Sequence, residues 1–189
     1  GLYAYGALTV TNTAFISNTA LADGGGVWAN KNVTLSGGRF EKNTSYQGGG
    51  GLYVSSNGNL TLTDTVFLSN TTQGGGGGAF VANDATLNGG RFENNRCLDT
   101  SCMGGGLHAY NAILSGTVFI SNTAQETGGG AQVSKDATVN GGRFERNSGN
   151  TGGGLSVDST VYLTGTQFIS NTAASKGGGL YVSGGSSRL

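Results

Sequence analysis

Three consecutive glycines recur along the chain, ending at Gly26, Gly51, Gly78, Gly106, Gly130, Gly154 and Gly179, at intervals of 25, 27, 28, 24, 24 and 25 residues. A short strand-like segment follows each triplet, as in GGGLYV at 49–54 and again at 177–182. A second marker, Phe-x-x-Asn, falls once per interval, at Phe15/Asn18, Phe40/Asn43, Phe67/Asn70, Phe92/Asn95, Phe119/Asn122, Phe144/Asn147 and Phe168/Asn171. Self-similarity at periods of roughly 20–50 residues is the mark of a stacked repeat architecture. The phenylalanines add a second layer: Phe15, Phe67 and Phe119 lie 52 residues apart, and so do Phe40, Phe92 and Phe144. Two coil types therefore alternate, one reading FISN or FLSN and the other GGRFExN.

Within a repeat the apolar period is two, which specifies strands. Leu52 and Val54 alternate with Tyr53 and Ser55, Leu60 and Leu62 with Thr61 and Thr63, and Phe67 is flanked by Val66 and Leu68. Three short strands per coil cannot bury their inner faces alone. Stacking equivalent coils at about 4.8 Å places Leu on Leu and Phe on Phe and pairs the backbone with the coils on either side. The expected fold is all-β: a parallel β-solenoid of about seven coils of about 25 residues, one repeat domain over 1–189. The 38 glycines, about three times the usual share of ~7%, then have a structural use, at corners with φ > 0 and no room for Cβ atoms. A phosphate-cradling loop is disfavoured, because such loops need a following helix and here a strand follows. The asparagines Asn18, Asn43, Asn70, Asn95, Asn122, Asn147 and Asn171 are expected to form a corner ladder, each bonding local backbone and its equivalent in the next coil. Their other use is N-glycosylation, for which Asn43-Thr44-Ser45 has the sequon and Asn18-Thr19-Ala20 does not.

The paired markers, for example Gly49-Gly50-Gly51-Leu52 with Phe67-x-x-Asn70, resemble the GGA[ILV] and FxxN repeats of chlamydial polymorphic membrane proteins and similar bacterial surface repeats. The resemblance implies a right-handed parallel β-helix that serves adhesion as the secreted passenger of an autotransporter. The chain differs in carrying Gly where those repeats carry Ala and in its 52-residue alternation.

Function on such a scaffold belongs to outward positions. The second residue after the triplets is Tyr3, Trp28, Tyr53, Phe80 and His108 in the first five coils, then Gln132, Ser156 and Tyr181. An exposed ring column is expected there, open to three uses: stabilising the sheet, packing against a neighbouring molecule, or stacking on sugars. A second face carries Thr9/Thr11, Thr34/Ser36, Thr61/Thr63, Thr86/Asn88, Ile113/Ser115, Thr138/Asn140 and Tyr162/Thr164. It resembles the threonine rows of ice-binding solenoids, although threonine is also a good exposed strand residue. A third face alternates Arg39/Glu41, Arg91/Glu93 and Arg143/Glu145 with Val and Ile pairs, a two-coil-periodic strip suited to docking.

Catalysis finds little foothold. His108 is the one histidine, and Glu41, Glu93 and Glu145 recur two coils apart, about 9.6 Å by strand spacing, each beside an arginine that favours its charged form. No cofactor or metal set is expected. Ten basic residues balance ten acidic ones, so nucleic acid is not an expected partner. No apolar run approaches the ~20 residues of a membrane span, and no signal-peptide pattern is present. Cys97 and Cys102 lie in the longest inter-marker loop, eight residues where the others have four or five, and are expected to form a local disulfide in an oxidising location. The chain begins inside a repeat and ends after a fresh triplet, which suggests a slice of a longer array or end-to-end stacking. The combined expectation is a non-catalytic structural or adhesive solenoid, extracellular or on a bacterial surface. Its partner would be itself, a host receptor or a glycan; glycan processing and ice binding are the alternatives.

Overall fold

A computed structural model describes residues 1–184 and the backbone of 187–188. Every recorded strand pairing is parallel and joins equivalent positions of successive coils, such as Val27↔Leu52, Leu60↔Ala85 and Phe67↔Phe92. The coils form three sheets. The strand after each glycine triplet and the one that follows it, Leu52–Val54 and Leu60–Thr63 in one coil, lie together in a 14-stranded lead sheet. In two coils they fuse into single strands, Ala79–Asn88 and Leu107–Ser115. The phenylalanine strands, such as Val66–Leu68, make a seven-stranded sheet. A third sheet of seven closes the coil, built from short segments just after each asparagine, such as Thr71–Thr72 and Arg96–Cys97.

The core is a set of columns running along the solenoid axis. Phe40, Phe67, Phe92, Phe119 and Phe144 are fully buried, with neighbouring ring centroids 4.6–4.9 Å apart. Burying each of these rings contributes about 1.5–3 kcal/mol. Leu52, Val54, Leu60 and Leu62 fill the same interior from the lead sheet.

The three glycines of a triplet meet three different constraints. The first has positive φ in every coil, +66° at Gly24 and +68° at Gly76. The second has no space: a Cβ on Gly77 would lie 2.3 Å from the Gly105 carbonyl oxygen of the next coil. The third faces the core, where a Cβ on Gly78 would meet the Phe92 ring at 3.0 Å and the Asn95 amide at 3.2 Å. A second corner turns through the left-handed region at the residue before each ladder asparagine: Ser17, Lys42, Ser69, Asn94, Ser121, Arg146 and Ser170, with φ of 50–54°. The 52-residue alternation has its cause at the corner before the phenylalanine. One coil type places threonine there and the next places glycine, and a Cβ on Gly38 would stand 2.3 Å from the Thr13 carbonyl oxygen.

Candidate functional site

The ring column forms, but its exposure does not match expectation. Tyr3 is 59% exposed, whereas Trp28, Tyr53, Phe80 and His108 are half-buried. Backbone from the preceding corner runs beside the rings. A Cβ on Gly48 would lie 3.3 Å from Tyr53, and one on Gly75 3.1 Å from Phe80 and 2.7 Å from His108 Nδ1. The rings also cover one another: Tyr3–Trp28, Trp28–Tyr53 and Tyr53–Phe80 stack within 4–6° of parallel at centroid distances of 4.3, 6.5 and 5.0 Å. Their faces point along the solenoid axis at one another, leaving edges for solvent, so the column offers no row of open faces to a sugar. His108 closes the series edge-on to Phe80, with Nε2 3.1 Å from Ser134 Oγ. Burial pulls its pKa down to about 4, partly opposed by the charge of Asp158. Burial also raises the Asp23 carboxyl, and that group together with burial raises the Tyr53 phenol.

The asparagines point inward, and Asn43, Asn70, Asn95, Asn122 and Asn147 are wholly buried. Asn70 Oδ1 accepts both the backbone N–H and the Nδ2–H of Asn43, each at 3.0 Å. The second Asn43 Nδ2 proton goes to the Phe15 carbonyl at 2.8 Å. The pattern recurs from Asn18 to Asn171, joining all seven. In the folded chain the Asn43 amide of the sequon is thus buried and committed to the ladder.

A second polar ladder escaped sequence reasoning. Asn32 Oδ1 accepts the Asn59 N–H at 3.0 Å, Asn59 Oδ1 the Asp84 N–H, Asn111 Oδ1 the Asp136 N–H, and Asp136 Oδ1 the Thr160 N–H at 3.0 Å. The Thr160 bond holds the Asp136 carboxyl below the usual range. Its sequence mark is a polar residue at the entry to the second strand segment from the second coil onward, in a varying series Asn32, Asn59, Asp84, Asn111, Asp136, Thr160, where the first coil has Ala7.

Thr9, Thr34 and Thr61 stand exposed and in register, and the row continues through Thr86, Ile113, Thr138 and Tyr162. On the phenylalanine sheet each Arg-Phe-Glu strand closes its own ion pair, Arg39–Glu41 at 3.3 Å, Arg91–Glu93 at 2.7 Å and Arg143–Glu145 at 3.1 Å. The glutamates are far less exposed than their arginines, 11% against 41% in the last pair. A shallow depression of about 440 Å³ lies on this strip between Ala14, Arg39, Val66 and Leu68. Cys97 and Cys102 are bonded, Cα–Cα 5.6 Å, and both are buried in one cluster with Ala124: Cys97 ends a strand of the third sheet and Cys102 lies in the loop that follows it. Among the described residues no group of three or more His, Cys, Asp or Glu is placed to hold a metal ion, and no helix is long and apolar enough to cross a membrane.

The segment 165–183 runs from the corner before Phe168 through Asn171 to GGGLYV, one complete pair of markers. It matches the model of the Chlamydia polymorphic membrane protein (Chlamydia_PMP) repeat. The chain thus carries a Chlamydia_PMP-type repeat in its last coil. The same two markers occupy equivalent structural positions in the preceding coils. Comparison with curated proteins and with solved structures finds no match to the chain. The Chlamydia_PMP repeat and the parallel solenoid together fit a bacterial surface or autotransporter-like passenger domain.

Proposed function

We propose that this chain is a non-catalytic structural and adhesive solenoid of a bacterial cell surface, acting through its outward strips on a host-surface receptor or on further copies of itself. The match of 165–183 to the Chlamydia_PMP repeat carries this proposal. The hydrogen-bonded interior supports it: inward asparagines and corner glycines are committed to holding coil on coil, which makes a rigid display scaffold. The Arg-Phe-Glu strip, with apolar rows between its ion pairs, is the surface best suited to docking.

Beads coated with the purified chain, applied to cultured epithelial cells, test the adhesive role against beads coated with an unrelated solenoid. Electron microscopy of the same preparation tests self-association. Binding above the control that falls when Val66 and Val118 are both changed to Asp supports the proposal. Beads that bind no better than the control, from a preparation of dispersed rods, would overturn it.

A further inference from the structure

The position that carries rings in the first five coils carries Gln132 and Ser156 in the next two. Both are closed off from solvent, at 1% and 0% exposure. Asp158 fixes the facing of the Gln132 amide. An ionised carboxylate has no proton to give, so the group 3.1 Å from its Oδ2 is the donor Nε2. Gln132 Oε1 therefore turns away from Asp158, and it finds no hydrogen-bond partner among the described residues. Ser156 Oγ, in register one coil further on, is buried without a partner as well. Thr127 Oγ1, just ahead of the triplet leading to Gln132, shares that condition, whereas the unpartnered His108 Nδ1 faces Gly75 on the far side of its ring.

Five buried side-chain polar atoms lack partners among the described residues, and three of them, Thr127 Oγ1, Gln132 Oε1 and Ser156 Oγ, belong to two adjoining coils. Native interiors leave few such atoms, and a cluster of them signals an unseen partner. Its chemistry follows from the atoms. Gln132 Oε1 only accepts, and the two hydroxyls both donate and accept. A species with two protons and two lone pairs satisfies three such groups at once. An apolar side chain satisfies none, and a monovalent cation serves only their lone pairs.

We propose that the region is an internal hydration site, in which a buried water bridges Gln132 Oε1 and Ser156 Oγ and is completed by Thr127 Oγ1. Globular proteins hold on the order of one buried water per ~27 residues, each making about three hydrogen bonds. The site also accounts for where the ring column stops: beyond His108, polar side chains and water take over the space that rings fill in earlier coils.

A crystal structure of the chain, with solution counting of long-lived waters by oxygen-17 relaxation dispersion, tests the proposal. The parent is expected to show a density peak at about 2.7–3.2 Å from both Gln132 Oε1 and Ser156 Oγ. Gln132→Met, which keeps the volume and removes the acceptor, is expected to lose that peak and one long-lived water. Thr117→Val, which removes the remaining unpartnered hydroxyl elsewhere, leaves the count unchanged. If Gln132→Met does not fold, Ser156→Ala supplies the same comparison. An empty, well-ordered gap, a direct Gln132–Ser156 bond, or a peak that exchanges for rubidium on soaking would each overturn the proposal.

Discussion

His108 shows how a single residue's environment reverses its ordinary behaviour. An imidazole on a strand's outward side would normally titrate near 6.5, yet here the ring sits beneath Gly75, edge-on to Phe80, and its pKa falls to about 4. The folded pKa lies below the unfolded one, so the unfolded chain takes up the proton first. The stability tied to neutral His108 is complete above about pH 7, declines as pH falls through 6.5 towards 4, and is gone below 4. At pH 5 the loss amounts to about 2 kcal/mol, since one pKa unit corresponds to about 1.36 kcal/mol. Urea unfolding of the parent and of His108→Phe, compared at pH 7.5 and pH 5, isolates this effect from the carboxylates common to both. The parent is expected to lose about 2 kcal/mol more than the variant; an equal loss in the two would show that His108 does not titrate as a buried base.

At the scale of elements, the asparagine ladder joins the phenylalanine sheet to the third sheet, and its middle rungs are the most exacting. Removing the Asn95 amide leaves the Asn70 N–H and one Asn70 Nδ2–H without partners, both of them buried, while the Phe67 carbonyl keeps only its ladder bond to the next coil. Each unsatisfied group costs about 1–3 kcal/mol. Asn95→Ala is therefore expected to destabilise the chain by at least about 2 kcal/mol, and Asn18→Ala, at the partly exposed end of the ladder, by about 1 kcal/mol, as read from urea midpoints. The ladder's place and spacing were legible in the sequence, because one residue type recurs at one offset from one aromatic. The second ladder was not, because Asn, Asp and Thr share the work and each looks like ordinary loop composition. The third sheet was hidden for another reason: two residues after an asparagine are too few to display a period of two. The ring column was legible in register but not in exposure. Alternation tells which side of a strand a ring occupies, and it cannot tell that the corner backbone at Gly48 and Gly75 lies alongside.

Across the whole molecule each coil touches only its neighbours, so stability is close to a sum of coil and interface contributions. The consequence is positional: the same substitution has different reach at the end of the stack and at its middle. Phe92 is fully buried, with rings at 4.6 Å and 4.9 Å on its two sides, while Phe15 is partly exposed with one neighbour at 5.0 Å. Phe92→Leu therefore weakens two interfaces and Phe15→Leu one. The first is expected to cost about 1–3 kcal/mol, in the range of core reshaping, and the second less than half as much. Amide hydrogen exchange separates local from global effects. Phe92→Leu should speed exchange in the coils on both sides, those carrying Phe67 and Phe119, whereas Phe15→Leu should affect only the first two coils. Uniform acceleration along the chain in both variants would mean that the solenoid unfolds as one unit, and that coupling between coils exceeds what nearest-neighbour stacking supplies.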